Sequence, residues 1–482
     1  MEENELLEIG TKAVKQAQES GADEAEAFVY TEDQTTVTLV GGIFASRSGA
    51  VKGLKGTFAR LAEFWIKKKG LPMITSGVKA GVGIRSVVNK AVGFCSVSNI
   101  EEKKVLEAAE EATKIAKIRP PDPNWVSLPD SKKPLSEGGV FDKRVSQLEI
   151  EDLLEFCSGS CVAMGDFDKR IVQAMVMSSA TSAAFATINT NGLEAFDKRT
   201  AFTAYFEVKA KSRGEEASSG EEFTSRSYSK DFYPLARSAS KRAIESLGKK
   251  PLPQKYTGTV VFENTSWNEL FSVIFPSSIS ALNVQENRSV YKGKAGTVVA
   301  KETVSVVDDG TLRDGFGTMK IDDEGVPMQK KSIIEKGVLD GFLYDQYTAK
   351  REGGESTGNA SRQSGSASPY ANQPVIRPSN LVFLPGTSGL DDLLRQTGNG
   401  VLVKGSLTGA LHSNVITGDF SVSANNAFKV ENGEVAYSLK PCTVAGNLYE
   451  VLGSVAAVGN DSRSFRTVIC PSLMVDKIVI ST

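Results

Sequence analysis

The 482-residue chain contains a single histidine, His412, and only five cysteines, at positions 95, 157, 161, 442 and 470. A zinc site draws on several imidazole or thiolate ligands held close together. One imidazole therefore puts independent zinc catalysis at a disadvantage, and a sparse, odd cysteine count argues against a disulfide framework. Charge of one sign is missing too: 56 Lys and Arg face 58 Asp and Glu, for a formal charge of −2. That balance excludes a polyanion binder working by bulk charge, which needs a basic surplus. No apolar run approaches the ~18 residues of a spanning helix. The start, Met1-Glu2-Glu3-Asn4-Glu5, is acidic and has no apolar core, so it is not a secretory signal, and the expected location is the cytoplasm. What remains is typical of a globular protein, with 40% hydrophobic and 24% charged residues.

Hydrophobic periodicity divides the chain into four expected segments. In residues 1–118, Leu6, Ile9, Ala13, Val14 and Ala17 fall at helical spacing before Gly21. Ala25–Val29 and Val37–Leu39 read as two strands of a meander, and Val82–Val97 as a further strand carrying Gly81, Gly83 and Gly93 along it. Glu101–Ile118 reads as a strong amphipathic helix. Residues 119–135 hold prolines at 120, 121, 123, 129 and 134 and form a connector. In residues 136–250, Ser146 with Glu149 spells a capping box at a helix start. Strands are expected near Arg170–Ser179, Ala183–Asn189 and Ala201–Lys211, with Asn191-Gly192 as a hairpin turn. The polar stretch 212–222 reads as a solvated loop, followed by a helix over Tyr233–Leu247. After Pro251 and Pro253, residues 251–482 show short β-like runs between glycine turns. One helix is expected there, over Trp267–Phe275 and stopped by Pro276. The fold class is α+β: antiparallel sheets with covering helices in the N-terminal half, then a β-rich C-terminal half open to a barrel-like arrangement.

No constellation of residues makes an active site on its own. Gly81-Val82-Gly83 lacks the third glycine of a dinucleotide fingerprint, and Gly293-Lys294-Ala295-Gly296 lacks phosphate-loop spacing. Cys157 and Cys161 share a helix face, but no second thiol pair matches them, and core packing is the plainer role. His412 precedes Asp419 within a serine-rich region, yet no Gly-x-Ser-x-Gly nucleophile turn accompanies it. Asp308-Asp309 and Asp322-Asp323-Glu324 adjoin glycines and read as turn chemistry. Arg362 and Arg377 flank the Gly/Ser/Asn-rich stretch 353–373. Either arginine suits bidentate carboxylate binding, or equally the capping of surface acids.

Spelling along the chain adds what chemistry does not. Gly81-Val82-Gly83-Ile84-Arg85, Gly93-Phe94-Cys95-Ser96 and Ile188-Asn189-Thr190-Asn191-Gly192 resemble the N-terminal half of the TldD/TldE (PmbA) family. Further on, the same order holds in Ile321-Asp322-Asp323-Glu324-Gly325-Val326-Pro327, Ser356-Thr357-Gly358-Asn359-Ala360, Thr417-Gly418-Asp419-Phe420-Ser421 and Gly459-Asn460-Asp461. In the family's TldD branch a helix carries His-Glu-x-x-x-His and a later Cys completes a zinc site. Here the equivalent helix is similar to Phe271–Pro276, with no His or Glu at that spacing, and no Cys stands near Gly459–Arg466. Both departures resemble the TldE (PmbA) branch.

That resemblance implies a metal-free subunit of a TldD/TldE zinc metalloprotease, inactive alone, that shapes a chamber in which unfolded or small peptides are cleaved. Zinc is then expected in a TldD-type partner and no cofactor in this chain. Asn359 and Arg362 are the expected substrate-binding residues, with no catalytic or metal-ligating residue and no nucleic-acid or membrane partner. The alternative is a stand-alone homodimer that binds peptides or proteins without hydrolysis; a metal-independent hydrolase centred on His412 is a third reading. Exposed strand edges of the β-rich half suit an extended peptide, which adds to them through main-chain hydrogen bonds. The 353–373 loop is expected either to line that path or to form a surface excursion.

Overall fold

A computed structural model describes residues 2–42, 72–135, 141–229, 233–252, 254–363, 365 and 367–481. Met1, residues 136–140 at the expected start of the second segment, and Pro253 lie outside the described residues. The first six strands are β1 (Glu24–Gly42), β2 (Met73–Val88), β3 (Ala91–Val97), β4 (Ile171–Asn189), β5 (Glu194–Ser212) and β6 (Glu215–Ser225). They form one antiparallel sheet in the order β3-β2-β1-β4-β5-β6, so β1 pairs with β4 across the proline-rich connector.

Several local expectations change for identifiable reasons. The two strands expected in 25–39 are one strand, β1. Its polar middle, Thr31–Thr36, is held by main-chain pairing on both sides, Thr31 opposite Ala80 and Ala184. A strand with two neighbours needs no continuous apolar pattern to persist. The same pairing joins 170–179 and 183–189 into β4. The expected strand 82–97 is a hairpin, because Asn89 and Lys90 both take left-handed conformations (φ 49° and 66°), as a two-residue turn requires. The stretch 212–222 is the edge strand β6, with Ala217, Ser219 and Glu221 turned inward. Small and charged inward residues gave it a loop-like composition.

Helices cover one face of this sheet in two pairs. Glu3–Glu19 and Glu102–Ile118 bury Leu6, Ala13, Val105 and Ala112 against Val29 and Ile84. Ile150–Gly165 and Tyr233–Glu245 bury Phe156, Cys157 and Ala239 against Val176 and Phe206. The Ile150–Gly165 helix begins four residues later than the Ser146 spelling implied: Glu149 is its cap, and its N–H donates to Asp152 Oδ2 at 3.0 Å. Gly93 permits the close approach of the Glu102–Ile118 helix, since a Cβ there would lie 2.1 Å from Ala112 O.

The C-terminal half contributes β7 (Tyr256–Phe262), β8 (Val306–Asp309), β9 (Lys330–Glu335), β10 (Val338–Leu339), β11 (Ala360–Ser361), β12 (Val375–Ile376), β13 (Leu381–Phe383) and β14 (Gly400–Val403). It continues with β15 (Leu407–Thr408), β16 (Asp419–Ala424), β17 (Ala427–Glu431), β18 (Glu434–Ser438), β19 (Cys442–Asn447), β20 (Val455–Val458), β21 (Arg463–Phe465), β22 (Val468–Cys470) and β23 (Leu473–Ser481). One sheet runs β15-β16-β19-β23-β7-β14-β17-β18, with β20 beside β23; a second runs β10-β9-β8-β13-β22-β21, and β11 pairs with β12 alone. Mixed α+β architecture with curled, half-barrel sheets results, as expected from sequence. Helix Asn264–Ser278 packs between the sheets and buries Trp267, Leu270, Phe271, Ile274 and Phe275. It runs through Pro276 rather than stopping there. Pro276 forgoes the main-chain bond that an N–H there would make to Ser272 O, and the aromatic face, with Phe271 stacked on Phe275 at 4.6 Å, holds the last turn.

The two halves are joined by charge and by apolar contact. Glu26 on β1, with no exposed surface, binds Arg85 Nη2 on β2 at 2.7 Å and also receives Arg362 Nη2. Arg85 Nη2 continues to Glu324 Oε1 at 2.8 Å. Around this core Phe28, Tyr30 and Phe185 pack against Met319, Ile321 and Tyr370. Gly83 lies beneath Tyr370, whose carbonyl would be 2.3 Å from a Cβ there. The β2 glycines therefore seat Tyr370 on the sheet, consistent with a structural rather than phosphate-binding role.

Two stability changes are expected. Gly93→Ala forces the Glu102–Ile118 helix off the sheet and costs ~1–3 kcal/mol of overpacking strain, read as a lowered urea midpoint. Arg362→Ala leaves Glu26 with Arg85 as its remaining partner, and loss of one member of a buried ion network costs ~3–5 kcal/mol. An unchanged urea midpoint for Arg362→Ala would show that the joint contributes nothing net.

Candidate functional site

Asn359 and Arg362 both lie in this joint. Asn359 is 2% exposed; its Nδ2 donates to Asp308 Oδ2 (2.8 Å) and Arg377 O (2.9 Å), and its Oδ1 accepts from Lys331 Nζ (2.9 Å). Arg362 has no exposed surface, sits over the Phe28 ring at 4.9 Å, and donates from Nη1 to Asn372 O at 2.8 Å. Neither side chain faces open space. Asp308 and Asp322-Asp323-Glu324, read above as turn acids, are buried in the same region. Asp308 pairs with Lys331 at 2.9 Å, and Asp322 accepts from the N–H groups of Glu324, Val326 and Ala360. Burial raises the Asp323 carboxyl above its usual range and pulls the Arg362 guanidinium below its own. These groups hold the fold together.

Open volume lies elsewhere, in a cleft of about 1110 Å³ alongside helix Asn264–Ser278. The helix points Glu269, Ser272, Val273 and Ser277 into it. Pitch explains the set: positions three and four apart return to one face of a helix, linking 269 to 272 and 273, and 273 to 277, while the opposite face carries the buried aromatics. From Ser272, the first and fifth following residues are Val273 and Ser277, so the spacing of His-Glu-x-x-x-His falls on three cleft-lining residues. A serine hydroxyl and a valine side chain do not supply the imidazole and carboxylate donors that zinc takes from such a helix, and the residues present do not fit the metal. Among the described residues no three His, Cys, Asp or Glu side chains gather in a metal-holding group.

The other walls are sheet ends. Gly220–Glu222 of β6, Phe465 of β21, Val375–Ile376 of β12 and Leu407 of β15 all line the cleft, and each of these strands is last in its sheet. None of the described residues of the 353–373 stretch lines it; Val375–Pro378, just beyond, do. Charges on the walls are mostly matched. Glu221 binds Arg242 (2.8 Å) and Arg463 (2.6 Å), and Glu222 binds Arg466 (2.7 Å). Glu269 accepts from the Leu407 N–H at 2.5 Å, and burial, with the charge of Glu222 adding to it, raises its carboxyl above the usual range.

His412 is exposed on a short turn, Ala410–His412, at the cleft wall. Asp419 is engaged by Thr417 Oγ1 (2.6 Å) and Asn447 Nδ2 (2.8 Å) instead of by the imidazole. The Ser/His/Asp arrangement is therefore not formed. Cys157 and Cys161 are core residues: Cys157 Sγ lies 3.1 Å from Ser178 Oγ, and burial pushes its thiol up to about 12. Sequence reasoning missed the cleft itself. Its one available signal was the set of small or apolar residues at 272, 273 and 277, interrupting an otherwise aromatic helix. Among the described residues no helix is long and apolar enough to cross a membrane.

Three family models match in chain order: PmbA/TldA metallopeptidase domain 1 over residues 65–116, the central domain over 143–247, and the C-terminal domain over 253–482. The chain is 26% identical to the metalloprotease PmbA homolog of Haemophilus influenzae, covering 100% of this chain and 97% of that protein. It is 28% identical to a metalloprotease of Methanocaldococcus jannaschii, covering 86% and 90%. The crystal structure of TldE from Thermococcus kodakarensis superposes with a TM-score of 0.82 at 24% identity, covering 98% and 99%, which shows a shared fold. With successive family domains accounting for most of its length, and a full-length relative beside them, the chain belongs to the PmbA/TldD metallopeptidase family.

Proposed function

We propose that this chain is a TldE-type, metal-free subunit of a TldD/TldE zinc metalloprotease. It forms part of the wall against which an unfolded or small peptide is held, while a TldD-type partner supplies zinc. The observation that carries this reading is the cleft helix, which presents Ser272, Val273 and Ser277 at the family's ligand spacing. Hydroxyl and alkyl groups there leave shape without Lewis-acid chemistry. The cleft supports a peptide role, because strand ends on its walls offer main-chain donors and acceptors to an extended ligand whatever its side chains. A formal charge of −2 agrees with a partner that is neither nucleic acid nor an anionic membrane surface. The reading places the complex in the cytoplasm.

Purified alone, the chain is expected to carry far less than one zinc per molecule by elemental analysis and to leave an unfolded peptide uncut. Co-expressed with a chain bearing His-Glu-x-x-x-His, it is expected to co-purify as a zinc-loaded, peptide-cleaving complex. Stoichiometric zinc together with cleavage by the isolated chain would reject the assignment. Within the complex, His412→Ala is expected to leave kcat/KM for peptide cleavage within about twofold, as for an exposed residue with no part in the chemistry. A loss of several orders of magnitude would revive a hydrolytic role for His412.

A further inference from the structure

Four sheet ends meet in the cleft, but their main-chain groups are not equally available. On β6, Gly220 O accepts from Arg242 Nη1 (3.2 Å) and Glu222 O from Arg463 Nη2 (3.1 Å). β21 leans on β6 through the Arg463–Glu221 and Arg466–Glu222 pairs. On β15 the Leu407 N–H is taken by Glu269. The strand β12 differs. It pairs only with β11, Ile376 opposite Ala360, and the next residue, Arg377, donates its N–H to Asn359 O at 2.9 Å. Antiparallel partners alternate between bonded and non-bonded positions, so Ile376 turns its own N–H and C=O to the opposite side, away from β11. That side is without a strand partner among the described residues.

Charge singles out the same place. Glu221 and Glu222 are neutralised by arginines, and Glu269 is hydrogen-bonded by main chain. Arg377 remains: it is exposed, it lines the cleft, and among the described residues no carboxylate pairs with it. Its main chain is anchored from both directions, N–H to Asn359 O and C=O from Asn359 Nδ2, and Asn359 is itself fixed by Asp308 and Lys331. A guanidinium on a fixed backbone beside an open strand edge suits a planar carboxylate.

We infer that the cleft holds an extended peptide along the open edge of β12 at Ile376, with a carboxylate of that peptide bound by Arg377. The inference rests on the peptide-handling reading above and adds a substrate class to it: segments that carry a carboxylate at one strand position. The carboxylate is either the peptide's C-terminus or an acidic side chain. Asn359 then acts as a positioning residue, through the backbone of Arg377, without touching the ligand.

The test uses the full chain, alone and in complex with its His-Glu-x-x-x-His partner, and fluorescence anisotropy of a labelled peptide, Val-Ser-Val-Ser-Val-Ala. Three forms are titrated: the free acid, the C-terminal amide, and the amide with Asp in place of the second Ser. The free acid is expected to bind about tenfold more tightly than the plain amide, the scale of one charge-assisted hydrogen-bonded contact. Recovery of affinity by the Asp-containing amide shows that a side-chain carboxylate serves as well as the terminus, and no recovery restricts the site to the terminus. In Arg377→Ala the acid and amide are expected to bind equally, and Arg377→Lys restores part of the difference. Arg377 is exposed, so these variants retain the fold. Equal binding of all three forms to the unaltered chain, or a preference that survives in Arg377→Ala, would overturn the inference while leaving the peptide reading intact. Failure of every form to bind, alone and in complex, would overturn both.

Discussion

Glu26 receives two guanidinium groups, one from Arg85 on the neighbouring strand and one from Arg362, 336 residues further along the chain. All three side chains are withdrawn from water, and an unpaired charge in such surroundings is costly. The groups therefore have to meet for either half of the molecule to keep its inner face. Because Arg362 directly follows β11, and β11 pairs with β12, the ionic contact also fixes the strand that borders the cleft. The position of the cleft's open edge thus depends on a charge contact with the far sheet, made on the other side of a two-stranded ribbon.

Within that frame, shape and chemistry have separated. Helix Asn264–Ser278 keeps an aromatic face deep in the C-terminal core and turns a second face to the cleft. The buried face constrains the helix's position, while the half-buried cleft face is held more lightly, Val273 alone among Ser272, Val273 and Ser277 also packing on the core. A chain of this family can consequently carry serines and a valine at 272, 273 and 277 and still form the fold shared with TldE from Thermococcus kodakarensis. What such a cleft retains is a surface of strand ends and, among the described residues, the unmatched positive charge of Arg377.

Much of this was legible from residues alone. The single imidazole, the helix Glu102–Ile118, the turn at Asn191-Gly192 and the α+β class all follow from local pattern, since each is decided by neighbours in sequence. The failures share a cause. β1 looked like two strands, and β6 like a loop, because strands flanked by partners, or hiding small residues and a paired Glu221, carry little apolar alternation of their own. Asn359 and Arg362 stood out as polar residues in a polar stretch, but no local pattern tells a solvated arginine from one whose carboxylate lies hundreds of residues upstream. Gly81 and Gly83 were placed along a strand with no visible reason for glycine, because the Tyr370 that covers them comes from the other half of the chain.

The nine-stranded sheet has a consequence for biosynthesis. β7 lies between β14 and β23, and its Thr259 hydroxyl bonds to Asp476, 217 residues away. A ribosome delivers β7 long before β23, whereas β1 through β6 are all available before the C-terminal half begins to emerge. The first sheet can mature while the nascent chain is still growing; the second waits with an open seam at its centre. Closing so large a loop slows folding, and an unfilled sheet exposes aggregation-prone main chain in the interval. The completed N-terminal sheet, presenting Phe28, Tyr30 and Phe185, offers a ready template on which the later half can collapse.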